Sequence, residues 1–382
     1  MPAETDTIIV GAGPAGLAVG AVLRRANIPF ALLERADRVG ESWHHHYDRL
    51  HLHTPKSQSS LPYREYPRTY PRYPSRQQVV EYLDDYARAF ALEPEFGRDV
   101  QRCARAADGT WRVSTTAGDY RARCVVVATG YNRVPNAPRW SGQETFPGPI
   151  IHSRDYTSGE LFRGQRVLVV GFGNSGAEIA LDLAEHGARC AIAVRGGVNV
   201  IPRELLGIPI SVVSLALRSL PPRVADAMSR LTRRLAVGDL ATAGLARSDV
   251  GPLQQIAERH RIPVIDVGTL ARLRNGDIAA RKGVASFDGA DVRFADNTVE
   301  RFDAVVLATG YATGLHAMLP DHPSVLDTLG RPLECGREST VAGLYFCGYN
   351  LSPTGMLRQI NIEARAIGRS IAATPRLRPT SV

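Results

Sequence analysis

A glycine-rich stretch near the start of the chain has the residue types and spacing needed to hold a pyrophosphate. Gly11, Gly13 and Gly16 form the pattern G-x-G-x-x-G directly after the apolar run 8–10. The glycines allow a tight turn, close approach of a pyrophosphate and close helix–strand packing, and the helix N-terminus attracts phosphate. A second predicted strand ends at Glu34, where an acid hydrogen-bonds a ribose 2′-hydroxyl. This stretch therefore predicts a site for a dinucleotide whose adenosine ribose is free.

The same pattern returns about one domain length further along the chain. Its residues are Gly171, Gly173, Asn174, Ser175 and Gly176. The strand that follows its helix ends at Arg195, where the first copy has its acid. An acid would repel a 2′-phosphate, whereas an arginine holds one through charge-assisted hydrogen bonds. We therefore predict an NADP(H) site, and a solvated strand end is the alternative interpretation of Arg195.

Two dinucleotide sites in one chain predict a redox relay, in which a nicotinamide coenzyme reduces a bound flavin. The near-identical segments CVVVATGY (124–131, containing Gly130) and AVVLATGY (304–311) are predicted to mark where the chain leaves and re-enters the flavin domain. The apolar strand in GLYFCGY ends at Gly348, before a helix predicted from about 361 to 372. A glycine at such a strand end lets the backbone approach a flat cofactor closely.

These elements predict an α/β fold with two Rossmann-like dinucleotide-binding domains. The FAD-binding domain is expected to be discontinuous, over residues 1–155 and 301–382. The NADP-binding domain of residues 156–300 is expected to be inserted into it. A chain of 382 residues is long enough for two to three domains with a sizeable core.

Composition and charge exclude several classes of protein. Hydrophobic residues make up 44% and charged residues 22%, as in ordinary globular enzymes, and no run of about 18 apolar residues predicts a transmembrane segment. There is no signal-peptide pattern and no CxxC pair, so we expect a cytoplasmic protein whose Cys124 and Cys190 are reduced core residues. The net charge of +8 is diffuse, without a basic run or an aromatic set, and therefore predicts no nucleic-acid binding.

Two further stretches have competing interpretations. His44, His45 and His46 are consecutive, but consecutive side chains diverge in direction, so no metal site is predicted. The stretch 209–237 is apolar with interspersed arginines. We predict an amphipathic helix pair there, and a cap over a hydrophobic substrate pocket or a contact with a membrane surface are the alternatives.

The segment FPGPIIHSRDY (146–156), between the two glycine patterns, makes the chain resemble a known family. Phe146, Gly148, His152 and Tyr156 match all four positions of F-x-G-x(3)-H-x(3)-[FY], the signature of class B flavin-dependent monooxygenases. Flavin disulfide reductases share the two glycine patterns but lack this signature. They also need a redox cysteine pair, which the sequence does not contain. His152 is expected to organise the linker and not to carry a proton.

Within that class the chain resembles the YUCCA-type indole-3-pyruvate monooxygenases and their bacterial relatives over nearly its whole length. YDRLHLHTPK (47–56) and YPRYPSRQQVVEYLDDYA (70–87) are similar to segments of that group. The resemblance implies Trp43 and His53 beside the flavin, His53 replacing an asparagine of the wider class and hydrogen-bonding the peroxide or the flavin. It also implies that Arg203 supplements Arg195 in binding the 2′-phosphate. The segment 350–364 departs from the YUCCA pattern in a loop expected to border the substrate.

The resemblance implies FAD and NADPH as cofactors and O2 with a small organic substrate as reactants. NADPH would reduce FAD, and O2 would form a C4a-(hydro)peroxyflavin that oxygenates the substrate, for instance by oxidative decarboxylation of an aryl α-keto acid such as indole-3-pyruvate. The alternatives are N- or S-oxygenation of an amine or sulfide, an uncoupled NADPH oxidase or flavin reductase, and a non-catalytic nucleotide-binding protein. A homodimer is one expectation for the assembly, which the sequence does not fix.

Overall fold

The computed structural model describes residues 3–217 and 236–373, which divide into two compact units. Unit 1 comprises Met1–His44, Pro55–Val134 and Tyr311–Val382. Unit 2 comprises His45–Thr54 and Pro135–Gly310. Helices and strands alternate in both, so the predicted mixed α/β class is confirmed.

The elements of the described residues are named here in chain order. The strands are β1 (Ala3–Val10), β2 (Phe30–Leu33), β3 (Val100–Arg105), β4 (Trp111–Thr115), β5 (Gly118–Val127), β6 (Val134–Pro135), β7 (Ile150–His152), β8 (Arg166–Val170), β9 (Arg189–Val194), β10 (Val200–Pro202), β11 (Glu204–Leu205), β12 (Ile208–Pro209), β13 (Val264–Asp266), β14 (Ile278–Lys282), β15 (Val284–Asp288), β16 (Asp291–Phe294), β17 (Val299–Arg301), β18 (Ala304–Leu307), β19 (Tyr311–Ala312) and β20 (Leu344–Phe346). The helices are α1 (Pro14–Arg25), α2 (Glu41–His44), α3 (Arg76–Ala89), α4 (Asn174–Glu185), α5 (Ile210–Leu217), α6 (Pro252–Arg259), α7 (Thr269–Asn275), α8 (Leu315–Met318) and α9 (Met356–Ala373).

Unit 1 is built on a six-stranded sheet. Strands β2, β1, β5 and β20 are parallel, and β4 and β3 continue the sheet in the antiparallel direction. The apolar ends of β1 and β5 are fully buried, as expected for parallel strands covered on both faces. Helix α9 packs against α1 so closely that a Cβ on Gly368 would lie 2.2 Å from Val22 Cγ1. This helix begins five residues before its predicted start.

Unit 2 is built on a five-stranded parallel sheet in the order β14-β9-β8-β18-β7. Helix α4 connects β8 to β9, which gives the strand–loop–helix–strand arrangement predicted from the second glycine pattern. An antiparallel sheet of β15, β16 and β17 belongs to the same unit. The carboxyl ends of β8, β9 and β18 therefore meet at one edge of the parallel sheet, where ligands of such sheets bind.

The limits of the two units differ from the predicted domain limits at three places. Strand β7 precedes the predicted limit at 155/156, yet it pairs with β18 in the sheet of unit 2. Strand β18 follows the predicted limit at 300/301, yet it pairs with β8. The segment 45–54 also belongs to unit 2. The segment AVVLATGY thus enters the second sheet, because its apolar strand completes that core and not the core of the first sheet.

The stretch 209–237 is described only in part. Helix α5 lies at its start, and residues 218–235 lie outside the described residues, so the predicted helix pair stays a prediction. Within 3–217 and 236–373, no helix combines the length and the apolar character that a bilayer crossing requires.

Candidate functional site

The first glycine loop lies at the carboxyl edge of the unit 1 sheet, between β1 and α1. Gly11 has a φ of +105°, which a side chain would strain, and a Cβ there would lie 2.8 Å from the Ala128 carbonyl oxygen. A Cβ on Gly16 would lie 1.8 Å from the carbonyl oxygen of Gly11. Packing within the protein therefore requires both glycines. Gly11 lets the loop lie against the end of β5, and Gly16 lets α1 lie against the loop.

The second glycine loop repeats this geometry in unit 2. Gly171 has a φ of +111°, and a Cβ there would lie 2.5 Å from the Ala308 carbonyl oxygen. A Cβ on Gly176 would lie 2.0 Å from the carbonyl oxygen of Gly171. Ala128 and Ala308 belong to the two ATG segments, so each segment closes the glycine loop of its own unit.

A different constraint applies to the middle glycine of each loop. Gly13 and Gly173 have φ values of −78° and −99°, which every residue type adopts. Among the described residues, no atom lies within 4 Å of a Cβ built on either one. Neither the backbone nor the protein packing therefore explains these two glycines. A pyrophosphate that needs close access to the helix N-terminus does explain them, so both loops fit a dinucleotide.

The predicted flavin-site residues of unit 1 gather around the first loop. Glu34 is buried, and its carboxylate accepts hydrogen bonds from the backbone N–H groups of Ala12 (2.7 Å) and Ala36 (3.0 Å), so it also braces the loop. Gly348 follows β20, and a Cβ there would lie 3.0 Å from Ala15 Cβ at the start of α1. Gly130, which follows β5, has a φ of +84°.

Trp43 lies in the short helix α2 and is partly exposed. Its backbone N–H donates to the carbonyl oxygen of Gly40 over 2.8 Å. The side chain is not one of the buried core aromatics of the described residues. Its place beside a flavin stays a prediction.

The predicted coenzyme-site residues of unit 2 divide into two groups. Arg195 follows β9 at the carboxyl edge of the sheet, where it is exposed and forms no ion pair with any described residue. Asn174 accepts a hydrogen bond from the Ile265 backbone N–H over 2.7 Å. Arg203 instead follows β10, which pairs with β13 in a separate two-stranded sheet.

The signature residues of segment 146–156 hold unit 2 together. Phe146 is buried and packs edge-to-face against Phe287, with ring centroids 5.7 Å apart. A Cβ on Gly148 would lie 2.0 Å from the Asp303 carbonyl oxygen, so only glycine allows this backbone contact beside β18. The Tyr156 hydroxyl, at zero exposure, donates to Asp182 of α4 over 2.7 Å.

His152 completes the signature and is buried beside the second ATG segment. Its Nδ1 accepts from the backbone N–H of Arg154 over 3.1 Å, so Nε2 carries the proton and donates to the Gly310 carbonyl oxygen over 3.1 Å. Burial lowers the pKa of His152 below its ordinary value, against the opposing effect of the Gly310 hydrogen bond. The ring is thus a neutral structural link between β7 and the end of the ATG segment.

His53, predicted to lie beside the flavin, contacts the helix of the second glycine loop. Its Nε2 lies 2.5 Å from Oε1 of Glu178, a buried residue of α4. The pKa of the neighbouring Tyr47 is raised well above its ordinary value by burial and by the charge of Glu178, against a hydrogen bond from Ser175. Sequence reasoning missed Glu178 and Tyr47. The available signal was a pair of acids, Glu178 and Asp182, spaced four residues apart in a helix directly after a glycine loop.

Comparisons with known proteins agree with this architecture. A family model described as pyridine nucleotide-disulphide oxidoreductase matches residues 8–203. Indole-3-pyruvate monooxygenase YUCCA1 of Oryza sativa subsp. japonica is 42% identical over 318 residues, covering 82% of this chain and 78% of that relative. Indole-3-pyruvate monooxygenase YUCCA6 of Arabidopsis thaliana is 40% identical over 356 residues, covering 90% and 85%. A double mutant of the flavin monooxygenase from Stenotrophomonas maltophilia superimposes with a TM-score of 0.74 at 25% identity, covering 97% and 99%.

The chain belongs to the class B flavin-dependent monooxygenases. The monooxygenase uses FAD and NADPH, and its reactants are O2 and a small-molecule substrate. The resemblance inferred from segment 146–156 is therefore confirmed.

The cysteines of the monooxygenase are poorly suited to disulfide chemistry. All five are free thiols, and the predicted burial of Cys124 and Cys190 is confirmed. Burial raises the pKa of Cys103 and of Cys124 to about 12, and it also raises the pKa of Cys190, Cys335 and Cys347. Such thiols contain little of the nucleophilic thiolate at neutral pH. In the described residues, no group of three or more His, Cys, Asp or Glu side chains is arranged to hold a metal ion.

Two substitutions in the second glycine loop separate folding from coenzyme binding. Gly176→Ala places a Cβ against the Gly171 carbonyl, so it should lower the unfolding free energy by about 3 kcal/mol or more. Gly173→Ala has room for its Cβ, so it should change stability by less than about 1 kcal/mol while weakening NADP⁺ binding roughly tenfold. Thermal unfolding and calorimetric NADP⁺ titration of the FAD-loaded protein measure both. Unchanged NADP⁺ affinity in Gly173→Ala would contradict the assignment of this loop.

Proposed function

We propose that this monooxygenase catalyses the NADPH- and O2-dependent oxidative decarboxylation of indole-3-pyruvate. The supporting observation is the 42% and 40% identity, over 82% and 90% of this chain, to two proteins named indole-3-pyruvate monooxygenases. The family model over residues 8–203 includes both glycine loops and the signature segment between them. The departure at 350–364 covers the residues just before α9 and the first turns of that helix, which were expected as a loop bordering the substrate.

The proposed reaction balances without any further reactant. The bond between the carboxylate carbon and the keto carbon of the substrate breaks, and CO2 leaves. One oxygen atom of O2 joins the former keto carbon, which gives indole-3-acetate. The other oxygen atom leaves as water, with two electrons and one proton from NADPH and one proton from solvent. The protein must exclude bulk water from the reacting atoms, because water would allow the reduced oxygen to escape as H2O2.

The two loops are assigned to the two cofactors by the residues at their second strands. We assign the loop of Gly11, Gly13 and Gly16 to FAD, because Glu34 offers a carboxylate to a ribose hydroxyl. We assign the second loop to NADPH, because Arg195 is an exposed cation at the same edge of its sheet. On this proposal both units are Rossmann-like, with the FAD-binding residues in unit 1 and the NADPH-binding residues in unit 2.

The remaining predicted residues are assigned to the two cofactors by their positions. Gly130 and Gly348 follow strands that end beside the first loop, which supports their assignment to FAD. Trp43 is partly exposed and lies outside the core, and we assign it to the flavin. Arg203 follows a strand of a different sheet from the strand before Arg195, and we assign it to the 2′-phosphate as a supplement to Arg195.

Product formation tests the substrate. FAD-loaded protein with NADPH, O2 and indole-3-pyruvate should consume NADPH and O2 in equal amounts and form one indole-3-acetate for each NADPH. Phenylpyruvate, an amine and a sulfide serve as comparison substrates under the same conditions. NADPH consumption that appears entirely as H2O2 with indole-3-pyruvate would contradict the proposal, and N- or S-oxide formation would favour the alternative substrate class.

Coenzyme preference tests Arg195. Arg195→Gln removes the charged contacts to the 2′-phosphate, which should raise the KM for NADPH by about 10–150-fold, corresponding to about 1.5–3 kcal/mol, and leave the KM for NADH nearly unchanged. Arg189→Gln is the matched control, because Arg189 is exposed at the opposite end of the same strand. An equal rise in both KM values, or an effect of the same size in the control, would show that Arg195 does not hold the phosphate.

Cellular location and assembly complete the proposal. The five free cysteines are compatible with a reducing compartment, and we propose that the enzyme acts in the cytoplasm. A homodimer is the proposed assembly. Light scattering of the purified protein tests it, and a mass of about 41.5 kDa, that of a single chain, would contradict it.

A further inference from the structure

Helix α4 contains a buried acid, Glu178, whose presence is not explained by dinucleotide binding at the preceding glycine loop. Glu178 is only 3% exposed, in a helix whose buried residues are mostly alanine, isoleucine and leucine. An unpaired carboxylate is costly when buried, so it requires hydrogen-bond partners. In the described part of the chain, two side chains of the segment 45–54 adjoin Glu178, one as a hydrogen-bond partner and one as a close neighbour.

The first partner is His53. Its Nε2 lies 2.5 Å from Oε1 of Glu178, which is a short, charge-assisted distance. An ionised carboxylate only accepts hydrogen bonds, so the proton of this bond belongs to Nε2 of His53. Within the described residues nothing hydrogen-bonds the other nitrogen, Nδ1, and the side chain is 16% exposed. Glu178 thus determines that Nδ1 is the ring nitrogen that remains available.

The second neighbour is Tyr47, which is buried beside Glu178 and the glycine loop. Its hydroxyl lies close enough to Glu178 and to Ser175, a residue of the loop itself, for both to shift its pKa. Burial and the Glu178 charge raise the pKa of Tyr47, against the effect of Ser175, so its hydroxyl stays protonated.

Further contacts fix the same segment on unit 2. Arg49 forms an ion pair with Glu185, the last residue of the helix that contains Glu178. The backbone N–H of Asp48 donates to the carbonyl oxygen of Thr157 over 2.9 Å. These contacts hold the backbone of the segment, whereas among the described residues it is Glu178 that hydrogen-bonds the imidazole of His53.

We propose that Glu178 is a positioning residue of the oxygenation reaction, which fixes the His53 ring with Nδ1 free. This inference rests on the proposed function, because it gives His53 a task in controlling the reduced oxygen. Without a fixed imidazole, the site would lose a preorganised hydrogen-bonding group, and oxygen would escape more often as H2O2. Preorganisation of this kind acts through geometry and not through coenzyme affinity.

Proton NMR tests the positioning directly and needs no substrate. The Nε2-bound proton of His53 should give a strongly downfield, slowly exchanging resonance in the FAD-loaded protein. The resonance should disappear in His53→Asn and in Glu178→Gln, which keeps the shape but not the charge of the side chain. It should persist in Glu185→Gln, an acid of the same helix that does not contact His53. Its absence from the wild type, or its persistence in Glu178→Gln, would overturn the proposal.

A double-mutant cycle separates positioning from general stability. Glu178→Gln should increase the H2O2 released per product roughly tenfold, with the KM for NADPH changed less than about threefold. In the His53→Asn background, the same substitution should add less than about twofold, because residues that act as one unit are not additive. Equal effects in both backgrounds would show a merely structural role. If the wild type does not turn over indole-3-pyruvate, the proposed substrate fails, while the NMR result still decides the role of Glu178.

Discussion

In each unit, the helix after the glycine loop packs directly against the backbone of the loop, because the third glycine of the pattern has no side chain. A Cβ on Gly16 or Gly176 would lie within about 2 Å of the carbonyl oxygen of Gly11 or Gly171. This steric constraint brings the N-terminus of the helix to the carboxyl edge of the sheet, where its free N–H groups are able to bind a phosphate. The remaining features of each site, including the ATG segments and the residues at the second strands, depend on that placement.

On the proposed assignment, the same loop geometry serves both cofactors, because the residues that distinguish the two cofactors lie outside the loops. Glu34 follows the second strand of unit 1, where its carboxylate also braces the loop through Ala12. Arg195 follows the second strand of unit 2 and remains exposed, so its charge is available to a ligand. The difference between the two sites is therefore electrostatic, whereas the backbone geometry is shared. In the second unit, the buried acids Glu178 and Asp182 add side-chain contacts to segments distant in the sequence.

The sequence predicts those parts of the fold that depend on local spacing. The loops, their helices and the strands ending near Glu34 and Arg195 follow from glycine spacing and apolar runs, and the structure has them. The sequence does not show which sheet an apolar strand joins, so AVVLATGY was placed in the flavin domain although β18 pairs with β8. The contact of His53 with Glu178 also escaped prediction, because 125 residues separate the two. The signature was recognised as a family pattern, but its packing reasons, such as the contact of Gly148 with Asp303, required coordinates.

The chain transfers one oxygen atom from O2 to its substrate at the expense of NADPH, and isotope labelling measures this transfer most directly. Turnover of indole-3-pyruvate under ¹⁸O2 in ordinary water should give indole-3-acetate with one ¹⁸O atom in its carboxylate. The unlabelled oxygen of that carboxylate should come from the keto group of the substrate. Acid that contains no ¹⁸O, formed while NADPH oxidation yields an equal amount of labelled H2O2, would contradict the account.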